Sequence, residues 1–307
     1  MQAQYKFTVF GILAVLVWSA VLHVMRIVSE DFGAIGGATL IYSVAAIFLV
    51  LFLGFPKMKS YPKSYVIFGG VLFVAYELCL SLSLGFANSR TQSAQVLIVN
   101  YLWPLFTILG AIISRSNSAN TVLLFCGSIL AFTGVYMVVS GDTSLSIESL
   151  VSSIVSNPMA FGLAFGGAII WAVYCNLTKM LSNGQNAITL FFIFTAITLW
   201  VKWCLIEQSL QSNFSFYKVC LLVVAGGGMA LGYALWNKAI IGGNMILLAV
   251  ISYFTPVFSG IFASWILGIS LTTGFWIGVI AVTLGSLLCW QSTRASVNNN
   301  NVAVSDA

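Results

Sequence analysis

Asn100-Tyr101-Leu102-Trp103-Pro104 lies in the middle of one long apolar run, and Ser252-Tyr253-Phe254-Thr255-Pro256 lies in another. Each sets a proline behind aromatic residues, where a membrane-spanning helix would otherwise be most regular. Proline donates no backbone hydrogen bond, and its ring clashes with the carbonyl four residues back. The two stretches therefore release the carbonyls of Asn100 and Ser252. In hydrocarbon such a carbonyl has to find a partner in neighbouring protein or in a hydrated cavity. The pair predicts two interrupted helices that meet at a cavity, with Pro104 and Pro256 as flex points beside it.

The rest of the chain fits that setting. Of its 307 residues, 60% are hydrophobic and 6% charged, against roughly 25% charged in ordinary soluble domains. Such a chain cannot solvate its own surface as a globule. About twenty apolar residues cross a bilayer. Ten runs qualify: 7–28, 35–55, 64–86, 93–113, 121–140, 159–181, 187–206, 217–241, 245–267 and 274–291. The first is too long for a signal peptide, carries His23 and Arg26 near its end and lacks a small-residue cleavage pattern before them. The expected fold class is all-α, a polytopic membrane protein of ten transmembrane helices.

Basic residues orient the spans. With the N-terminus in the cytoplasm, Lys6, Lys57, Lys59, Lys63, Arg115, Lys179, Lys238 and Arg294 fall at cytoplasmic ends. Only Arg26, Arg90, Lys202 and Lys218 fall outside, where Glu30, Asp31, Asp142, Glu148 and Glu207 also gather. An even number of spans returns the C-terminus to the cytoplasm.

The chain also repeats. Pro104 and Pro256 lie 152 positions apart, as do Tyr101 and Tyr253, and Trp18 and Trp171 lie 153 apart. Chance matching of common membrane residues is one explanation; two halves of five spans is the other. Because five is odd, the second half would enter the membrane the other way up. That is the inverted-repeat plan of many secondary transporters, whose site lies near the midplane between the repeats. The domains are then a first repeat over 1–140, a linker over 141–158, a second repeat over 159–294 and a tail over 295–307. In the linker Ile147, Leu150, Val151, Ile154 and Val155 recur at helical spacing and predict a short interfacial helix. The asparagine-rich tail has no apolar pattern and reads as disordered.

Membrane enzymes find little support. His23 is the single histidine, so HExxH zinc chemistry is excluded; no GxSxG elbow and no Walker A loop is present. Glu77 is the one mid-membrane carboxylate, which leaves a two-aspartate protease without its pair. The six cysteines fall one per apolar run with no CxxC, and read as small buried hydrophobes. No metal site and no cofactor is expected. The net charge of +5 is spread over loops and implies lipid headgroups, not nucleic acid.

Polar and aromatic residues inside the spans are the candidate site. An ionised Glu77 costs several kcal/mol at mid-membrane unless paired or hydrated. It reads equally as a proton or amine site and as a hydrogen-bonded packing group, with Tyr76 beside it. On the fourth span Gln92, Val96, Asn100, Trp103 and Thr107 share a face, with Tyr101 next to Asn100. The sixth offers Trp171, Tyr174, Cys175 and Thr178, the eighth Tyr233, Trp236 and Asn237, and the ninth Ser252, Tyr253, Thr255 and Ser259. Trp171 and Trp236 also fit an interfacial belt. His23 reads as a hydrogen-bonded packing residue. Arg26, Lys179, Lys202 and Lys238 read as snorkelling to headgroups, Lys238 with the alternative of facing the cavity. Gly228 and Gly232 read as bending or close-packing positions, and Gly274 with Gly278 as a GxxxG packing face.

These features resemble a ten-helix member of the drug/metabolite transporter superfamily with two EamA-type halves. The resemblance rests on the paired halves, on Trp18 and Trp171 in their leading helices and on Pro104 and Pro256 in their fourth helices. It is closer to the aromatic amino acid exporters of that superfamily through Tyr76-Glu77-Leu78-Cys79-Leu80-Ser81-Leu82-Ser83-Leu84-Gly85, Val99-Asn100-Tyr101-Leu102-Trp103-Pro104, Ser252-Tyr253-Phe254-Thr255-Pro256-Val257 and Gly285-Ser286-Leu287-Leu288-Cys289-Trp290. It implies a multi-pass bacterial inner-membrane exporter of phenylalanine, tyrosine and tryptophan. It further implies a cavity lined by helices 1, 3, 4, 6, 8 and 9, with helices 5 and 10 facing outward as oligomer contacts. Tyr76, Glu77, Asn100, Tyr101, Trp103, Trp171, Tyr174, Trp236, Asn237 and Tyr253 are then the expected substrate contacts. A broad drug or metabolite exporter, proton-coupled through Glu77 or not, and a non-transporting scaffold with a closed bundle are the alternatives.

Overall fold

The structure is a computed structural model and describes residues 2–114, 120–140, 146–206, 214–267 and 270–305. Arg115, Asp142 and Glu207, used above for orientation, and positions 141–145 of the linker lie outside them. Among the described residues the chain is helical without strands, and ten segments are long and apolar enough to span a membrane. The first half contains α1 (Gln2–Phe32), α2 (Ala34–Leu53), α3 (Gly70–Gly85), α4 (Arg90–Asn100), α5 (Trp103–Ile113) and α6 (Thr121–Ser140). A π-helical turn, Tyr65–Gly69, leads into α3 and completes the third span. A short helix α7 (Ile147–Ser156) follows. The second half contains α8 (Pro158–Leu181), α9 (Ile188–Ile206), α10 (Phe216–Gly242), α11 (Met245–Ser252), α12 (Thr255–Leu267) and α13 (Thr273–Ser305). The apolar part of α13 is Thr273–Ser292, and helical backbone continues through positions 295–305.

Local chemistry sets the helix starts. Ser89, Ser146, Asn157, Ser215 and Asn244 each precede a helix and accept a hydrogen bond from a backbone N–H three residues on, the standard use of short polar side chains at an N-cap. On α7, Ile147, Val151, Ile154 and Val155 are exposed, while Leu150 packs towards Val96 and Ala160.

Both prolines break their spans. Tyr101 and Leu102 form a turn between α4 and α5; Tyr253 and Phe254 form one between α11 and α12. Two pairs of the surviving hydrogen bonds coincide under a shift of 152. Leu102 N donates to Val99 O at 3.2 Å, as Phe254 N does to Ile251 O at 3.1 Å. Phe106 N donates to Leu102 O at 3.1 Å, as Phe258 N does to Phe254 O at 2.9 Å. Neighbouring helices brace both breaks. His23 Nε2 on α1 lies 3.0 Å from Ser259 O, and Asn176 Nδ2 on α8 donates to Thr107 O at 3.1 Å. His23 and Asn176 are 153 positions apart, Thr107 and Ser259 152. A carbonyl only accepts, so Nε2 of His23 carries the proton. Ser19 Oγ also reaches Thr255 O at 3.0 Å. The bracing therefore falls on Thr107, Thr255 and Ser259, and not on the carbonyls of Asn100 and Ser252 singled out from the sequence.

The helix packing repeats in the same way. α1 lies along α10, and α8, its counterpart, lies along α3. α6 and α13 pair with each other through glycines on both sides. A methyl on Gly127 would lie 2.8 Å from Gly285 O, and one on Gly134 would lie 2.6 Å from Gly278 O. This low-to-high pairing is antiparallel and reciprocal, the form a two-fold contact takes. The contact glycines of α13 are thus Gly278 and Gly285, seven apart, in place of the expected Gly274–Gly278 pair.

Candidate functional site

A partly open cavity of about 120 Å³ lies between α1, α3, the two broken spans, α8 and α10. Those six spans are the ones the resemblance implied. α1 contributes Trp18, Val21, Leu22 and Met25, a stripe at helical spacing; α3 contributes Tyr76 and Leu80. Leu97, Asn100, Tyr101 and Trp103 come from the fourth span, Trp171 from α8, Met229 and Tyr233 from α10 and Thr255 from the ninth span. None of these side chains is charged.

The aromatic floor is a continuous set of ring contacts. Tyr76 stacks on Trp171 at 4.6 Å between centroids. Trp103 meets Trp171 edge-on at 6.2 Å and Trp236 at 5.6 Å. Trp18 packs on Tyr233 at 5.0 Å and on Trp236 at 5.3 Å. Trp171 and Trp236 are 2% and 0% exposed, which removes the interfacial-belt reading for both. Asn100 brings the main polar group to the wall, with Nδ2 3.5 Å from Ala164 O.

Of the residues expected at the site, the structure brings Tyr76, Asn100, Tyr101, Trp103 and Trp171 to the cavity surface. The other expected contacts lie elsewhere. Glu77 turns away, buried against α2, where the Tyr42 hydroxyl donates to its Oε2. Tyr233, which does line the cavity, lies beside Glu77. Trp236 backs the floor. Tyr174 sits one turn below Trp171, and its hydroxyl donates to Asn237 Oδ1 at 2.7 Å. Asn237 Nδ2 in turn donates to Asn186 Oδ1 at 2.9 Å. Tyr253 faces the second core, with Val135, Val257 and Phe275. Gly228 and Gly232 lie in an unbroken α10, where they admit α1: a methyl on Gly228 would meet Val21, and one on Gly232 would lie 2.5 Å from Trp18 Nε1.

The charged residues near the helix ends also differ from expectation. Lys179 does not snorkel; its Nζ donates to Gly243 O at 2.5 Å, at the carbonyl end of α10. Orphan carbonyls and the negative end of the helix dipole attract a cation there. Lys238 is exposed with its ammonium 5.5 Å over the Phe10 ring, away from the cavity. His23 is hydrogen-bonded, as its packing reading requires.

Sequence reasoning passed over the α1 stripe, and it set Tyr233 on the candidate face of the eighth span without carrying it into the expected substrate contacts. Trp18, Val21, Leu22 and Met25 recur at the three- and four-residue spacing of one helical face, and that face was legible; only its partner surface was not. Tyr233 stood on the same face as Trp236 and Asn237.

Comparison with known proteins agrees with the geometry. The description "EamA-like transporter family" matches residues 158–291. The chain is 42% identical over 289 residues to the "Aromatic amino acid exporter YddG" of Salmonella typhimurium (strain 14028s / SGSC 2262), covering 94% of this chain and 98% of that protein. The protein of the same name from Escherichia coli (strain K12) is similar at the same identity and coverage. A solved crystal structure overlays with a TM-score of 0.76 at 19% identity, covering 94% of this chain and 98% of its own; it carries the fold alone. With the paired breaks, the aromatic cavity and these relatives together, the chain belongs to the EamA-like transporter family.

Proposed function

We propose that the protein exports aromatic amino acids from the cytoplasm by alternating access, as an inverted repeat with both termini on the cytoplasmic side of a bacterial inner membrane. One observation carries the reading: a cavity walled by Trp18, Tyr76, Tyr101, Trp103, Trp171 and Tyr233, without a charged residue among its lining side chains. Such a wall recognises a ring. Offset or edge-on ring contacts are worth ~0.5–1.5 kcal/mol each beyond area burial, and the floor offers a new ring several at once. The amide of Asn100 meets the polar end of the ligand, which otherwise remains towards the mouth and water. The names borne by the relatives support the substrate class. The correspondence of the two breaks and of their braces under shifts of 152 and 153 supports the inverted repeat, and the excess of basic residues supports the orientation.

Purified protein in liposomes preloaded with tryptophan or phenylalanine is expected to release them well above protein-free liposomes. Trp103→Ala is expected to slow release about tenfold or more, the worth of one to two lost ring contacts, while Trp103→Phe retains most of it and serves as the folding control. Release no faster than from empty liposomes would end the transport reading.

A broader exporter of amphipathic compounds is the second reading, and the uncharged wall favours it, since nothing there demands an amino acid. A quaternary amine carrying an aromatic ring, added to the same vesicles, separates the two. Strong competition with tryptophan supports the broad reading, and none supports the narrow one. A scaffold needs a closed bundle, which the open-mouthed cavity does not provide.

A further inference from the structure

The two ends of the molecule are not alike. At the face where α1 begins, Gly242 lies against the Phe7 ring, α5 packs on α11, and α8 meets α10 through Tyr174–Asn237 and Lys179–Gly243. At the opposite face the counterparts stand apart. α1 and α3 face each other across the cavity through Met25 and Leu80, and α4 faces the ninth span through Leu97 and Thr255. The halves repeat, so this difference marks a conformational state: shut where α1 begins, open where it ends.

The shut end is also unusually polar inside. Tyr65, Tyr174, Thr178 and Asn237 lie together, and Ser182 lies one turn beyond Thr178. The Tyr65 hydroxyl lies within hydrogen-bond reach of Thr178, Asn237 and the Ala187 backbone, while among the described residues Ser182 Oγ is buried without a hydrogen-bond partner. Buried hydroxyls left unpaired are costly and rare. A buried polar cluster that ends in one makes sense on a surface that is dry in this state and wet in another. Trp171 stacks on Tyr174 at 4.9 Å, so the cavity floor leads directly into this cluster.

One charged group joins the two sides of the shut end. Lys179 reaches from α8, which packs along α3, to the carbonyl that caps α10, which packs along α1. Arg26 occupies the matching position on α1, 153 residues earlier. It points at no neighbouring helix; it pairs at 3.0 Å with Glu30 of its own helix, and both are more than half exposed.

Building on the alternating-access reading above, we propose that Lys179 and Arg26 are alternate latches of the transport cycle. Lys179 caps the carbonyl end of α10 and holds shut the face where α1 begins. When that face opens, Tyr174, Thr178, Ser182 and Asn237 line the entry half of the same path. When the opposite face shuts, α1 closes on α3 and Arg26 leaves Glu30 for the carbonyl end of α3, around residues 84–88. The α3 end falls earlier in its repeat than the α10 end does, which suits the longer reach of a guanidinium. In each state one cation is engaged and the other is solvated.

Single-cysteine labelling tests this in the full-length protein, with the native cysteines replaced and an impermeant maleimide applied to each side. Thr178→Cys reports the shut end and Leu97→Cys the open end. Lys179→Met is expected to raise labelling of position 178 about tenfold, the worth of one charge-assisted hydrogen bond, and to lower labelling of position 97. Lys179→Arg is expected to restore the parent pattern. Arg26→Met is expected to leave position 97 fully reactive and position 178 protected, and to slow turnover. Unchanged labelling in Lys179→Met would overturn the latch, and so would a rise at both positions, which reports loosening and not exchange. The labelling needs no substrate, so it stands or falls separately from the flux assay that tests export.

Discussion

Glu77 shows how one residue can be both noticed and misplaced from sequence. Its rarity at mid-membrane is visible in the chain, but its partner is not: Tyr42 lies 35 positions earlier on another helix and is one of 11 tyrosines. Only the packing of α2 on α3 selects it. Glu77 is buried beside Tyr42 and Tyr233, and Tyr233 packs on Trp18 in the cavity wall. Glu77→Gln keeps an acceptor for Tyr42 and is expected to hold tryptophan efflux within about threefold of the parent, with an unchanged response to an imposed pH gradient. Glu77→Leu strands the Tyr42 hydroxyl at roughly 1–3 kcal/mol and is expected to raise KM more than it lowers kcat, because a wall residue is displaced. Loss of gradient-dependent flux in Glu77→Gln, with passive flux retained, would instead make Glu77 a proton carrier. Tyr174 and Asn237 teach a related point. They share helical faces with Trp171 and Tyr233, so periodicity cannot separate a cavity wall from a sealed end one turn away; that division depends on how the two halves are tilted.

Elements were more legible than sites. The ten spans follow from the bilayer's length requirement, and both helix breaks follow from proline, which kinks or breaks a helix interior. The glycine pairs show the limit. Gly274 and Gly278 match a familiar spacing, yet the face that contacts α6 is set by Gly278 and Gly285, opposite Gly134 and Gly127. Antiparallel helices in backbone contact can skip two turns, and no local pattern shows which glycines meet. The contact predicts opposite signs for one chemical change. Gly134→Ala puts a methyl 2.5 Å from Val282 N, where backbone cannot yield, and is expected to cost about 2 kcal/mol as overpacking. Gly162→Ala on α8 meets nothing within 4 Å and is expected to add up to about 1 kcal/mol through helix propensity. Thermal unfolding in detergent would check both. Equal shifts for the two would show that α6 and α13 separate readily, against the reciprocal pairing.

At the scale of the whole molecule, the two halves solve one problem with different residues. Each broken span is braced three residues past its proline by a side chain from the leading helix of the opposite half: His23 on Ser259 O, and Asn176 on Thr107 O. Both are N–H donors to a carbonyl, at 3.0 and 3.1 Å. An imidazole and an amide are interchangeable there if the brace is all that is required. Each short helix after a break is thereby tied to a leading helix, α12 to α1 and α5 to α8, and in the proposed cycle each pair would move together. His23→Asn is therefore expected to retain tryptophan efflux within about twofold and the parent melting temperature. His23→Leu removes the donor and is expected to cost about 1 kcal/mol of stability and to slow efflux more than that loss explains, because α12 no longer tracks α1. Asn176→His is the reciprocal exchange and is expected to be tolerated to the same degree. If His23→Asn is as slow as His23→Leu while Asn176→His is silent, the imidazole has a chemical duty of its own. The equivalence of the two braces, and with it the matched motion of the two halves, would then be wrong.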